Sequence, residues 1–180
     1  NGDGKIDSND QMEDVGNPSV PEIVYGFGLN AEWRGFYAGI FFQGSGNTST
    51  VLGASSNGAF FPCQWGVEES AVRSEVANRW TEQNPSQNVM FPRMHSNNFD
   101  NTWWLRDASF LRLKNVEIGY NFKEKTLKKI GIQALRVYLQ GNNLCVWDDI
   151  KMWDPELGNT NGGFSYPLSR TFTFGLDFTF

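Results

Sequence analysis

Histidine is nearly missing from this chain. His95 is the only one in 180 residues, so a Ser-His-Asp triad has a single possible base. It sits in the polar stretch Arg93-Met94-His95-Ser96-Asn97-Asn98, which reads as a loop and not as a catalytic cradle. With no clustered nucleophile and no phosphate-cradling glycine loop either, the reading is of a protein that is not an enzyme and uses no organic cofactor. Cysteine is scarce: Cys63 and Cys145 are too few for a disulfide framework and lack zinc-site spacing, leaving either one pair or two free thiols. Positive charge is in deficit, with 15 Lys and Arg against 20 Asp and Glu and a net charge of −5, whereas a nucleic-acid partner would want a basic face. No apolar run approaches the roughly 18 residues of a membrane-spanning helix. A membrane-spanning barrel stays open, because its apolar positions alternate with polar ones. The opening Asn1-Gly2-Asp3-Gly4 has no initiator Met, basic n-region or apolar h-region, so a fragment of a longer protein is expected.

Aromatic residues and glycine are abundant: 15 Phe, 7 Trp, 5 Tyr and 19 Gly, against only 19% charged residues. Such a chain can bury a large apolar surface, which excludes disorder. The aromatics fall in period-2 alternation, the mark of a strand with one apolar face. Ile23, Tyr25, Phe27, Leu29, Ala31 and Trp33 alternate with smaller or polar residues, and after Arg34-Gly35 so do Phe36, Ala38, Ile40 and Phe42. Val116, Ile118, Tyr120 and Phe122 form a third set, Leu135, Val137 and Leu139 a fourth, and Phe172, Phe174, Leu176, Phe178 and Phe180 the last. Five strands are expected, near 23–34, 36–43, 105–122, 134–146 and 170–180. The connection 67–83 reads as a loop helix, with Val67, Ala71, Val72, Val76 and Trp80 on one face.

The connections discriminate better than the strands do. Arg34-Gly35 and 123–133 are short, the latter with one helical turn suggested by Leu127 and Ile130, while 44–102 and 147–169 are long. Short and long joints alternate, so the long ones emerge at one end, as in outer-membrane barrels with short periplasmic turns and long outer loops. Five strands cannot close a barrel, which needs at least about eight. The expectation is therefore an all-β membrane barrel fragment: residues 1–22 an outer loop, and 23–180 the last five antiparallel strands of a larger barrel. A secreted, calcium-dependent carbohydrate-binding β-domain is the rival reading.

An ordered series of motifs then resembles a known family. Asn1-Gly2-Asp3-Gly4-Lys5-Ile6-Asp7, Val15-Gly16-Asn17-Pro18, Tyr25-Gly26-Phe27, Phe41-Phe42-Gln43-Gly44, Leu105 through Val116, Arg136-Val137-Tyr138-Leu139, Trp153-Asp154-Pro155-Glu156 and Arg170 through Gly175 are similar to the C-terminal part of the SusC/RagA-type TonB-dependent transporters of Bacteroidetes. The resemblance implies a 22-stranded barrel in the outer membrane, plugged by an upstream domain, that imports oligosaccharides or peptides. It implies as partners a SusD-like surface lipoprotein, the TonB complex acting through the absent N-terminal part, the outer-membrane assembly machinery and lipid.

Three constellations carry candidate sites. The opening matches an EF-hand loop from its third position: Asn1 and Asp3 would give side-chain oxygens, Lys5 its carbonyl, Asp7 a direct or water-mediated contact, and Asp10 the closing carboxylate for Ca²⁺; the plain alternative is a turn. Thr173, Gly175, Phe178 and Phe180 fit the resembled outer-membrane assembly signal, against an ordinary amphipathic strand. Trp103, Trp104, Trp147 and Trp153 lie in or beside the outer loops. There they would stack on substrate, form an interfacial girdle or pack the loops together.

Overall fold

The computed structural model describes residues 2–5, 7–52, 74–93, 102–123, 127–128, 131–157 and 165–180. Its strands are β1 (Ile23–Trp33), β2 (Phe36–Gly46), β3 (Ser49–Val51), β4 (Leu105–Asp107), β5 (Phe110–Asn121), β6 (Ala134–Asp148) and β7 (Thr171–Thr179). β1, β2, β5, β6 and β7 pair in that order, all antiparallel, into one five-stranded sheet, and β3 and β4 form a separate ribbon. The sheet strands are 9 to 15 residues long, enough to cross a hydrocarbon layer at a tilt, for which about 9–11 suffice. No helix among the described residues is long and apolar enough to cross a membrane.

The strands differ from the expected ranges where the chain changes partner. β2 continues to Gly46 because Gly44, Ser45 and Gly46 stay paired with Tyr25, Val24 and Ile23. The expected strand over 105–122 is broken at Ala108-Ser109. There Asp107 Oδ1 accepts the Ser109 amide at 2.7 Å, and the Ala108 amide donates to Thr48 O at 2.9 Å, turning β4 away toward β3. Of the expected loop helix, 67–73 lie outside the described residues; the remainder forms a short 3₁₀ turn, Ser74–Asn78, and a bridge from Arg79 to Phe91. In the basic joint Leu127 is buried, with its amide toward Lys123 O at 3.4 Å, and Ile130 lies outside the described residues.

Directly opposed residues of neighbouring strands share a face, and the registers carry one apolar face across the whole sheet. Leu29 opposes Ile40, Ile40 opposes Val116, Ile118 opposes Leu139, and Leu139 opposes Phe174. These aliphatic centres are open to the surroundings: Leu29 is 72% exposed, Leu139 53% and Leu176 52%. Aromatic rings gather at both ends of this face. Phe36 meets Tyr120 at 4.5 Å and Tyr120 meets Phe122 at 4.8 Å at the turn end, while Phe27, Phe42 and Trp147 cluster at the other.

The β1–β2 turn has Arg34 at φ 51° and Gly35 at φ 97°, the two positive values that a two-residue hairpin of matching twist requires. A Cβ on Gly35 would come within 2.7 Å of Asn121 O, so the glycine also makes room for β5.

The buried core lies outside the sheet. Leu52, Val76, Phe91, Trp104, Ala108 and Ile150 pack together, with Val51, Met90, Trp103, Met152 and Trp153 against them. The described parts of the long connections thus form a packed layer at one end of the strands. Residues 17–22 join it: the Asn17 amide donates to Ser49 Oγ at 2.9 Å and the Ser49 amide to Pro18 O at 3.1 Å.

Candidate functional site

The polar face is organised by one extra residue. β5 carries a bulge at Lys114: Phe41 opposes Asn115, but Phe42 opposes Leu113. The bulge reverses the alternation, so Leu111 and Leu113 stay on the apolar face and Arg112 is delivered to the polar one. Arg112 is 2% exposed. Its Nε donates to Glu156 Oε1 at 2.8 Å and its Nη2 pairs with Asp154, while Lys114 Nζ lies 3.5 Å from Glu156. Asp154 also accepts the Glu156 amide at 3.0 Å, which caps the short turn Pro155–Leu157. A buried guanidinium needs such full pairing, because desolvation alone would cost several kcal/mol.

Further along the polar face, Asn115 donates to Asn142, and Asn142 Nδ2 donates to Thr171 Oγ1 at 3.1 Å, linking β5, β6 and β7. Toward the turn end, Arg136 donates to Tyr37 Oη at 2.6 Å and pairs with Glu117, with Asp177 at 3.8 Å. Its guanidinium lies between the rings of Tyr37 and Tyr138, 4.9 and 4.7 Å from their centroids, a cation–π sandwich. Tyr37 and Tyr138 lie over Gly119 and Gly175, where any Cβ would collide with the ring. Sequence reasoning gave no role to Arg112, Arg136 or Tyr37. Their signal was the family-like motifs around Arg112 and Trp153–Glu156, and tyrosines set opposite strand glycines.

The four tryptophans part company. Trp104 is 3% exposed in the core of the packed layer, where it packs the connections together, and Trp153 packs against the same core. Trp147 opposes Leu111 on the apolar face, beside Phe42 at 6.5 Å. Trp103 is half-buried, its indole N–H donating to Met90 O at 3.2 Å, and one face lines a cavity.

In the acidic loop, Asp3 Oδ1 accepts the Lys5 amide at 2.8 Å, Asp7 Oδ1 the Asn9 amide at 2.8 Å, and Asp10 Oδ2 the Asp7 amide at 3.1 Å. The donors are hard oxygens suited in kind to Ca²⁺. They are turned to local capping, and among the described residues no group of three or more His, Cys, Asp or Glu converges on one point. Asn1 and Cys63 lie outside the described residues; Cys145 is exposed and has no disulfide partner among the described residues. Thr173 and Phe178 are exposed and Gly175 is half-buried on β7, with exposed Phe180 just beyond its end; among the described residues β7 pairs only with β6.

No family model matches the chain. A TonB-dependent receptor of Formosa agariphila is 31% identical over 195 residues, covering 100% of this chain and 19% of the receptor. A second receptor from that organism is 32% identical over 191 residues, covering 99% and 18%. The TonB-dependent receptor SusC of Bacteroides thetaiotaomicron is 26% identical over 184 residues, covering 100% and 17%. The chain thus spans about a fifth of the length of the curated relatives it matches. Among solved structures, the RagAB peptide importer in its closed-closed state gives a TM-score of 0.71 at 26% identity, over 99% of this chain and 20% of that one. The RagAB peptide transporter gives 0.70 at 29% identity, over 90% and 18%.

Proposed function

Because this chain is a segment of a SusC/RagA-type TonB-dependent transporter, an all-β barrel protein of the outer membrane, we propose that it forms five consecutive wall strands of an active nutrient importer. The carrying observation is the apolar face that runs in register through all five strands, aliphatic in the middle and aromatic at both ends. That is the surface a lipid layer with two interfaces selects. In this reading the polar face lines the lumen, Arg34-Gly35 turns on the periplasmic side, and the packed layer faces outward. β1 and β7, each paired on one side only here, continue into neighbouring strands and remove the exposed edges.

The imported nutrients are oligosaccharides or peptides. A SusD-like surface lipoprotein meets the outer layer, and the TonB complex energises transport through parts of the protein outside this chain. Thr173, Gly175, Phe178 and Phe180 act as the signal read by the assembly machinery, whose own strand pairs with the free edge of β7. The acidic loop takes Ca²⁺ when Asp3, Asp7 and Asp10 turn from local capping toward the ion. The import proposal is tested by deleting the full-length transporter and supplying single oligosaccharides or peptides as sole nutrient. Growth lost on one class and restored by the intact gene supports import; unchanged growth and uptake on every class contradicts it.

A further inference from the structure

Beside the packed outer layer lies a cavity of about 390 Å³ lined by Gln87, Val89, Thr102, Trp103 and Arg106, within the size range of small-molecule sites. We propose that it binds a ligand carboxylate on Arg106, with the body of the ligand against Trp103. The proposal rests on reading this layer as the substrate-facing side.

Charge is the first argument. The chain carries a net charge of −5, yet the described residues that line this cavity include one cation and no acid. Arg112 and Arg136 are matched by carboxylates. Arg106 has no carboxylate partner among the described residues, and its guanidinium contacts only Leu105 O there, at 3.4 Å. The nearest acid in sequence, Asp107, points to the other face of β4 by strand alternation, and its carboxylate is held by the Ser109 amide. A half-buried guanidinium left with one weak acceptor is a ready partner for a planar, bidentate anion.

Rigidity is the second. Trp103 is fixed by its bond to Met90 O and by packing on the buried core, so one wall exists before any ligand arrives. Arg106 is held in β4 opposite Thr50. Thr50 is 6% exposed, and its Oγ1 has no hydrogen-bond partner among the described residues; it shares the face of Arg106. Gln87 and Thr102 add neutral polar groups to the lining. A peptide C-terminus and an acidic sugar share the required chemistry.

The test is calorimetric titration of the purified full-length transporter in detergent. The probes are trialanine against its C-terminal amide, and galacturonate against galactose. Loss of a charge-assisted pair predicts that the acid of one couple binds at least about tenfold tighter than its neutral counterpart. Arg106→Gln abolishes that difference and Arg106→Lys keeps part of it, with both variants matching the parent in heat-modifiability on gels. Trialanine discrimination identifies a peptide terminus, galacturonate discrimination an acidic sugar. Equal binding within both couples, or a difference that survives Arg106→Gln, overturns the proposal. Titration needs no uptake, so its failure with import intact removes this site alone.

Discussion

Arg112 on β5 and Asp154, forty-two residues later, form an ion pair whose side chains are 3% and 8% exposed. The pair ties the barrel wall to the segment that carries Ile150, Met152 and Trp153 into the buried core. The packed layer is thereby anchored to the sheet. Removing Arg112 leaves the buried Asp154 uncompensated, at a cost of about 3–5 kcal/mol, whereas removing Asp154 leaves Arg112 paired with Glu156 alone. Arg112→Ala and Asp154→Ala should each raise amide hydrogen exchange across 149–157 while the exchange of β6 and β7 stays slow. Unchanged exchange in 149–157 would remove the anchoring role.

Tyr37 over Gly119 gives a second prediction. Any side chain at Gly119 meets the Tyr37 ring, and moving that ring also disturbs the bond to Arg136. Overpacking of this kind costs about 1–3 kcal/mol. Gly119→Val should lower the unfolding temperature of the refolded barrel, and adding Tyr37→Ala should recover part of the loss. No recovery would mean that the ring is not what the new side chain strikes.

The five strands were legible because a period of two assigns every side chain to a face and because apolar residues hold that period from Ile23 to Trp33 and from Phe172 to Phe180. The bulge at Lys114 was not legible: Leu111-Arg112-Leu113-Lys114-Asn115-Val116 alternates without marking where an extra residue sits. Only the cost of placing Arg112 in lipid hints at it. The break at Ala108-Ser109 depends on the Thr48 carbonyl, which sequence places sixty residues away. The place of Trp104 was left open because an aromatic in a loop is equally at home in a girdle, a ligand site or a core. Its contacts with Phe91 and the other core residues settle the matter, and they are long-range. Arg106 was invisible for a related reason: the cavity exists only once β4 leaves the sheet and Trp103 is tied to Met90.

The acidic loop yields a third prediction. If Asp3 and Asp10 close on a cation, Asp3→Asn and Asp10→Asn should each abolish calcium occupancy, since each removes a full charge from one small loop. Calcium-dependent change in the thermal unfolding of the full-length protein is the readout. An identical calcium response in both variants and the parent would leave these carboxylates with turn capping alone.

The assembly signal yields a fourth. Phe178→Ser or Phe180→Ser should lower the amount of folded, heat-modifiable barrel in the outer membrane without changing uptake per folded molecule. Normal folded levels in both variants would assign β7 no role in assembly beyond that of an ordinary strand.

The central claim is the direction of the apolar face, and lipid accessibility along one strand measures it most directly. Spin labels placed singly at Thr173, Phe174, Gly175, Leu176 and Asp177 of the full-length transporter in bilayers can be relaxed by lipid-soluble oxygen or by a water-soluble nickel chelate. High oxygen and low nickel accessibility at 174 and 176, with the reverse at 173 and 177, is the result the register predicts. Arg in place of Leu176 should then cost about 2–4 kcal/mol of barrel stability if it lies near the midplane. Nickel accessibility at 174 and 176 equal to that at 173 and 177, or the opposite alternation, would contradict the account.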